Sequence, residues 1–224
     1  RLAAGLLALG IEPGDRVGIW GPNSYEWVLT QFATARIGAV LVNVNPAYRP
    51  KELAYALGKS EVQGLFAIPA FRSSDYAGML RELIPDLDRA GSPVLSCEAF
   101  PSLRRVVVYD PAGPRGTERP APGFSTWDEV IDAGRDVAPA RLDEVTAGLD
   151  PDDPINIQYT SGTTGFPKAV VLTHHNILNN AWFAAHALHL APGDLQQALG
   201  LCPIRPRNLD VSLGLRNGLP EFCV

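Results

Sequence analysis

Cysteine is scarce in this chain of 224 residues, and its cysteines follow no metal-binding or disulfide pattern. Cys97, Cys202 and Cys223 are odd in number and include no C-x-x-C pair. This excludes a standard zinc site and provides no disulfide framework. We therefore expect a protein of the reducing cytoplasm, and the sequence identifies no metal ligands.

Long apolar runs and excess positive charge are also missing. No stretch of about eighteen apolar residues could span a membrane, and we expect from Arg1, which is not an initiator methionine, that the chain begins at a cut. A net charge of −5 argues against broad attraction to nucleic acid or anionic membranes. What is present, 46% hydrophobic and 19% charged residues, is the composition of a globular protein.

Acidic residues are absent from a long stretch in the second half of the chain. Between Pro154 and Gly193 there is no Asp or Glu, and Lys168 is the only formally charged side chain. Lysine is itself rare, because Lys51, Lys59 and Lys168 are the only lysines among the 19 basic residues. At position 168 the chain therefore carries the compact ammonium charge of lysine instead of the planar guanidinium group of arginine, which it uses at most of its basic positions.

Lys168 closes a run rich in hydroxyl groups and glycine: Tyr159-Thr160-Ser161-Gly162-Thr163-Thr164-Gly165-Phe166-Pro167-Lys168. Ile155 and Ile157 alternate with polar residues before it, as in a short strand, and Thr173 opens a helix-like segment after it. The run is therefore predicted to be a turn that follows a strand.

The composition of this run indicates a phosphate-binding cradle. Its glycines permit positive φ and close approach of backbone N–H groups to an anion. Its hydroxyl groups and lysine add donors and charge, so the predicted ligand-binding residues are Thr160, Ser161, Gly162, Thr163, Thr164, Gly165 and Lys168. A plain turn is the alternative for any such cluster. The run is not a Walker A loop, because two residues separate its glycines, and a P-loop kinase is therefore disfavoured.

Apolar strands alternate with helices along the first half of the chain. Strands are predicted at 16–20, 39–44, 64–68 and 104–109, and helices from Leu2, from Asn23 or Ser24, at 50–58 and at 73–84. Such a pattern is typical of an α/β fold with a mostly parallel sheet flanked by helices. Residues 111–123 are predicted as a surface loop, Ser125 as the start of a short helix, and 139–154 as an irregular polar segment.

The run at 159–168 resembles the most specific signature of the adenylate-forming enzymes, which include acyl-CoA synthetases, aryl-CoA ligases, luciferases and peptide-synthetase adenylation domains. The resemblance is strongest to fatty acyl-CoA synthetases of the medium-chain type, through Ile19-Trp20-Gly21-Pro22-Asn23-Ser24, Val42-Asn43-Val44-Asn45-Pro46-Ala47-Tyr48 and Asp153-Pro154-Ile155-Asn156-Ile157-Gln158. It implies that residues 1–201 are part of the AMP-binding N-terminal domain of such an enzyme, an incomplete domain. Residues 202–224 diverge, and our hypothesis is that they are out of frame or a terminal scar.

The resemblance implies a two-step reaction. The carboxylate of a fatty acid attacks the α-phosphorus of ATP to give an acyl-adenylate and pyrophosphate, and the thiol of coenzyme A then takes the acyl group and releases AMP. Residues 160–165 would hold the β- and γ-phosphates with Lys168, the expected catalytic residue, and with magnesium. ATP, coenzyme A and a fatty acid are thus the expected partners, and nucleic acid is not.

The chain lacks several residues of the family pattern, and this affects the activity that we expect from it. Ala169 stands where the family has glycine, and the family's magnesium-binding glutamate, ribose-binding aspartate and C-terminal lysine are absent. We therefore expect little turnover from this chain alone. An adenylate-forming ligase for an aryl or amino acid, and an inactive or merely nucleotide-binding remnant, stay open as alternatives.

Overall fold

The computed structural model describes residues 1–89, 94–111, 118–160, 167–187 and 189, and helices and strands alternate through them. The helices are α1 (Leu2–Ala8), α2 (Tyr25–Arg36), α3 (Pro50–Lys59), α4 (Tyr76–Leu83), α5 (Asp86–Arg89), α6 (Trp127–Ala133), α7 (Pro139–Ala147) and α8 (His174–Ala187). The strands are β1 (Arg16–Trp20), β2 (Val40–Val44), β3 (Gly64–Ala67), β4 (Ala70–Phe71), β5 (Ser74–Asp75), β6 (Arg105–Val108), β7 (Phe124–Thr126), β8 (Pro154–Thr160) and β9 (Lys168–Thr173).

Seven of the described strands form one sheet in the order β7-β6-β3-β1-β2-β8-β9. Neighbouring strands run parallel except β8 and β9, which are antiparallel. The pair β4 and β5 forms a small separate sheet. The predicted α/β class, with a mostly parallel sheet flanked by helices, is confirmed.

The core lies on both faces of the central strands. Val17, Leu41 and Leu65 have no solvent exposure, which explains why these strands are apolar throughout instead of alternating. Helices α1 and α6 pack against each other at very short range, because a Cβ on Gly5 of α1 would collide with the carbonyl oxygen of Val130 on α6. The scaffold is therefore closely packed.

Local signals explain where several helices begin and end. The Ser24 side chain accepts a hydrogen bond from the Trp27 amide, so the predicted cap of α2 is confirmed at Ser24. Gly38 adopts a φ of 70° between α2 and β2, a conformation that favours glycine. Thr126 and Glu129 form a reciprocal capping box at the start of α6.

Three predicted boundaries are wrong. Residues 139–147 form helix α7, whose Leu142 and Val145 are buried, although residues 139–154 were expected to be irregular. Ser125 is buried in β7, which pairs with β6, so α6 starts two residues later than expected. Helix α4 starts at Tyr76 because residues 70–75 form β4 and β5.

A strand immediately after the hydroxyl-rich run was not expected either. Residues Lys168–Thr173 form β9, so Ala169 is an exposed strand residue. The tail assigned to residues 202–224 lies outside the described residues. None of the described helices has the length and apolarity to cross a membrane.

Candidate functional site

The two ends of the hydroxyl-rich run lie side by side in the sheet. Strands β8 and β9 pair so that Thr160 is opposite Lys168 and Tyr159 is opposite Ala169. The Thr160 hydroxyl donates to the Lys168 carbonyl oxygen at 3.4 Å, a long hydrogen bond. The structure thus brings together the first and last of the predicted site residues.

The other predicted ligands, Ser161, Gly162, Thr163, Thr164 and Gly165, lie outside the described residues, and their roles stay predictions. Lys168 is exposed at the first position of β9. It takes part in none of the ion pairs found among the described residues. Its ammonium group can therefore face an anion.

A pair of amide side chains, one buried and one partly buried, attaches β8 to the parallel part of the sheet. The Asn43 side chain on β2 donates through Nδ2 to Asn156 Oδ1 at 3.2 Å. Asn156 is only 1% exposed, which differs from the alternation that the sequence suggested. A polar pair across two strands favours one register, because a shifted strand would bury its amides without partners.

A second contact attaches the carboxyl end of β8 to helix α3. The Tyr159 hydroxyl lies 2.8 Å from Ser60 Oγ and 3.3 Å from the Ala56 carbonyl oxygen, to which it donates. Burial raises the pKa of Tyr159, and the hydrogen bond with Ser60 lowers it. Either hydroxyl can be the donor in the contact between Ser60 and Tyr159.

The other end of β9 leads into α8 through a capping box. Thr173 Oγ1 accepts from the Asn176 amide at 3.2 Å, and Asn176 Oδ1 accepts from the Thr173 amide at 3.0 Å.

His174 follows this cap and is buried. Burial lowers the pKa of His174, and nearby Asp153 raises it. His175 Nδ1 lies 3.2 Å from Asp152 Oδ1. Since β9 separates them from Lys168 by about 17 Å, these histidines are not part of the cradle.

Magnesium was expected from the family resemblance, but the described residues do not supply a site for it. They contain no group of three or more His, Cys, Asp or Glu side chains that could hold a metal ion. Hard cations prefer carboxylate oxygens, and there is none on β8, β9 or α8. Magnesium therefore stays an expectation from the family resemblance.

Comparison with protein families and known proteins relates this arrangement to characterised chains. The family model described as "AMP-binding enzyme" matches residues 1–203. The chain is 44% identical over 183 residues to the mitochondrial medium-chain acyl-CoA ligase ACSF2 of Danio rerio, covering 82% of this chain and 29% of that protein. It is 44% identical over 182 residues to the protein of the same name from Rattus norvegicus, covering 81% of this chain and 28% of that protein.

A solved structure shows the same architecture. The acetoacetyl-CoA synthetase of Streptomyces lividans is 28% identical and superposes with a TM-score of 0.66, covering 86% of this chain and 27% of that chain. The chain thus spans less than a third of the length of each of these relatives, and the part it spans carries the hydroxyl-rich run.

Proposed function

The chain belongs to the AMP-binding enzyme family, and on that premise we propose that its parent protein activates a fatty acid with ATP and transfers the acyl group to coenzyme A. The first step forms an acyl-adenylate and pyrophosphate, and the second forms acyl-CoA and AMP. The family resemblance drawn from the sequence is confirmed. The choice of a fatty acid rests on relatives named medium-chain acyl-CoA ligases.

The observation that carries this proposal is the pairing of Thr160 with Lys168 at adjacent strand ends. An acyl carboxylate that attacks the α-phosphorus breaks the bond to the bridging oxygen, and negative charge collects on the leaving pyrophosphate. A lysine placed at that oxygen stabilises the charge as it develops. We assign this role to Lys168 and the positioning of the phosphates to residues 160–165.

Lys168 cannot perform this role by charge alone. Two unit charges 4 Å apart attract by about 1 kcal/mol in water and about 4 kcal/mol at a partly desolvated site. Lys168 is exposed, so its own attraction for phosphate lies near the smaller figure. The hydroxyl and backbone donors of residues 160–165 are therefore needed to displace water from the phosphates.

Replacing the lysine tests the assignment in the full-length parent protein. Lys168→Ala should lower the rate of fatty-acid-dependent ATP–pyrophosphate exchange by about 10- to 100-fold, the usual scale for loss of one charge-stabilising donor. Exchange at the wild-type rate would exclude Lys168 from the adenylation step.

Lys51→Ala is the matched control, because Lys51 is also an exposed lysine but lies on α3. It should leave exchange unchanged. Equal losses in both variants would show that the effect is general and has no link to the cradle.

A nucleotide-binding remnant is the second candidate function. It would hold phosphate with the same exposed Lys168 that pairs with Thr160 across the strand ends. The full-length parent protein would then bind ATP, measured by calorimetry, without pyrophosphate exchange under any acid. Exchange driven by an aryl or amino acid instead of a fatty acid would point to the third alternative, another ligase of the same family.

The cellular compartment stays a separate proposal. We propose a cytoplasmic protein from the absence of a disulfide framework, whereas the Danio rerio relative is named as mitochondrial. Fractionation of cells that express the full-length parent distinguishes the two compartments.

A further inference from the structure

The residue immediately before Thr160 is tied by its side chain to a distant part of the chain. The Tyr159 hydroxyl contacts Ser60 Oγ at 2.8 Å and the Ala56 carbonyl oxygen at 3.3 Å, both at the end of α3. Its ring also meets the ring of Tyr55 edge-on, with centroids 6.5 Å apart. Helix α3 therefore holds β8 one residue before the cradle begins.

The groups on α3 that contact the Tyr159 hydroxyl are themselves held in place by other hydrogen bonds. Ser60 is 8% exposed, and its backbone amide donates to the same Ala56 carbonyl oxygen at 3.1 Å. Its carbonyl oxygen accepts from Arg16 Nε at 3.0 Å, at the start of β1. The hydroxyl of Tyr159 thus bonds to a rigid junction of helix and sheet instead of to a flexible side chain.

Lys168 depends on β8 for its own position. Strand β9 is the last strand in the sheet order, and β8 is its partner among the described strands. Its residues from Lys168 to Val171 are exposed. A shift of β8 at Tyr159 is therefore passed through the ladder to Ala169 and Lys168.

We propose that Tyr159 is a positioning residue of the phosphate-binding run, whose hydroxyl aligns Thr160 and Lys168 through its contacts with Ser60 and Ala56. This inference rests on the proposed function. Tyr159 does not touch the phosphates in this scheme and takes no part in proton transfer.

Tyr159→Phe in the full-length parent protein removes the hydroxyl and keeps the ring. We expect kcat/KM for ATP in pyrophosphate exchange to fall on the order of five-fold, the effect of losing one ordinary hydrogen bond, with an unchanged KM for the fatty acid. Hydrogen exchange of the backbone amides at 158–160 and 168–170 should become faster. A purely structural role would not separate the effect on ATP from that on the fatty acid.

Two further variants control the comparison. Tyr109→Phe removes a buried phenol hydroxyl just after β6, which β3, β1 and β2 separate from β8 in the sheet, and should leave the ATP parameters and the amide hydrogen exchange at 158–170 unchanged. Ser60→Ala should reproduce part of the Tyr159→Phe effect, and the double variant should be no worse than Tyr159→Phe alone, because both changes remove the same contact.

The outcomes separate the two proposals. Wild-type kcat/KM for ATP and unchanged amide exchange in Tyr159→Phe would overturn the positioning role while leaving the proposed function intact. An additive double variant would also overturn it. A wild-type parent without pyrophosphate exchange would overturn the proposed function alone, and amide exchange at 158–170 would still decide whether the hydroxyl holds the strand pair.

Discussion

A central strand and an edge strand of the sheet are similar in composition and differ in their surroundings. Strand β3 and strand β9 are both apolar over most of their length, yet β3 is buried at every position, whereas β9 is exposed from Lys168 to Val171. The difference comes from what packs on them, because β3 lies inside the sheet and β9 lies at its edge. Composition alone therefore does not distinguish a scaffold strand from a strand that carries the site.

The helices repeat this contrast. Helix α2 buries four residues against the sheet, whereas in α8 His174 is the one buried residue among those described. Trp182 and Phe183 on α8 are 48% and 65% exposed, and Val170 and Val171 on β9 are exposed as well. We call the part of the chain that carries these four exposed residues the β9–α8 region. The predicted site thus adjoins a region with few buried residues, while the central strands behind it are buried.

The largest expected effect that tests this contrast comes from two phenylalanines. Phe66 on β3 is 1% exposed and its ring meets that of Trp127 edge-on, so Phe66→Ala should lower the free energy of unfolding by about 3–5 kcal/mol. Phe183→Ala in the β9–α8 region should change it by no more than about 0.5 kcal/mol. Urea denaturation of the 224-residue chain measures both, and similar losses would show that α8 is packed as tightly as the scaffold.

A smaller effect is expected where the two regions meet. Asn156→Ala removes the acceptor of the partly buried Asn43 amide, and the loss of this hydrogen bond should cost about 1–2 kcal/mol of unfolding free energy. Asn180→Ala, an exposed change on α8, is the matched control and should cost almost nothing. Equal values would mean that the amide pair does not hold β8 to β2.

The scaffold could be predicted from the sequence, because its strands are fully buried and bounded by local signals. The predicted 16–20 and 39–44 agree with β1 and β2 within one residue, and Ser24 has its own capping contact. Helix α7 could not be recognised, since only Leu142 and Val145 of its residues are buried and its apolar stripe is narrow.

The site was predictable only as a motif. The spacing of hydroxyl groups, glycines and Lys168 identified the run. Strand β9 was not predicted, because its apolar residues do not alternate with polar ones. The contacts that support the run join residues far apart in sequence: Asn43 with Asn156, and Ser60 with Tyr159. No local pattern predicts such pairs, because Asn156 alternates with Ile155 and Ile157 as an exposed residue would.

Helix caps allow a comparison of the same change in both regions. Ser24→Ala at the start of α2 should cost about 1 kcal/mol of global unfolding free energy, because α2 packs on the scaffold. Thr173→Ala at the start of α8 should cost less globally and should instead accelerate hydrogen exchange in the first turn of α8. The reverse order of global costs would show that α8 unfolds together with the core.

The smallest effect concerns pH at the boundary between β9 and α8. Burial lowers the pKa of His174 below its ordinary value of 6.5, so the unfolded chain binds a proton at this site more readily than the folded chain. The stability contributed by neutral His174 is therefore complete above about pH 6.5 and is lost as the pH falls from there toward the lower pKa of the folded state. Asp153 raises the pKa of His174 and so narrows the pH range over which this stability is lost.

Unfolding free energies between pH 5 and pH 8 should show a shallower slope in His174→Gln than in the wild type, whereas His189→Gln, at an exposed position, should keep the wild-type slope. An identical slope in all three proteins would mean that His174 is as accessible to solvent as the rest of α8, and the contrast between the two regions would then begin at Thr173.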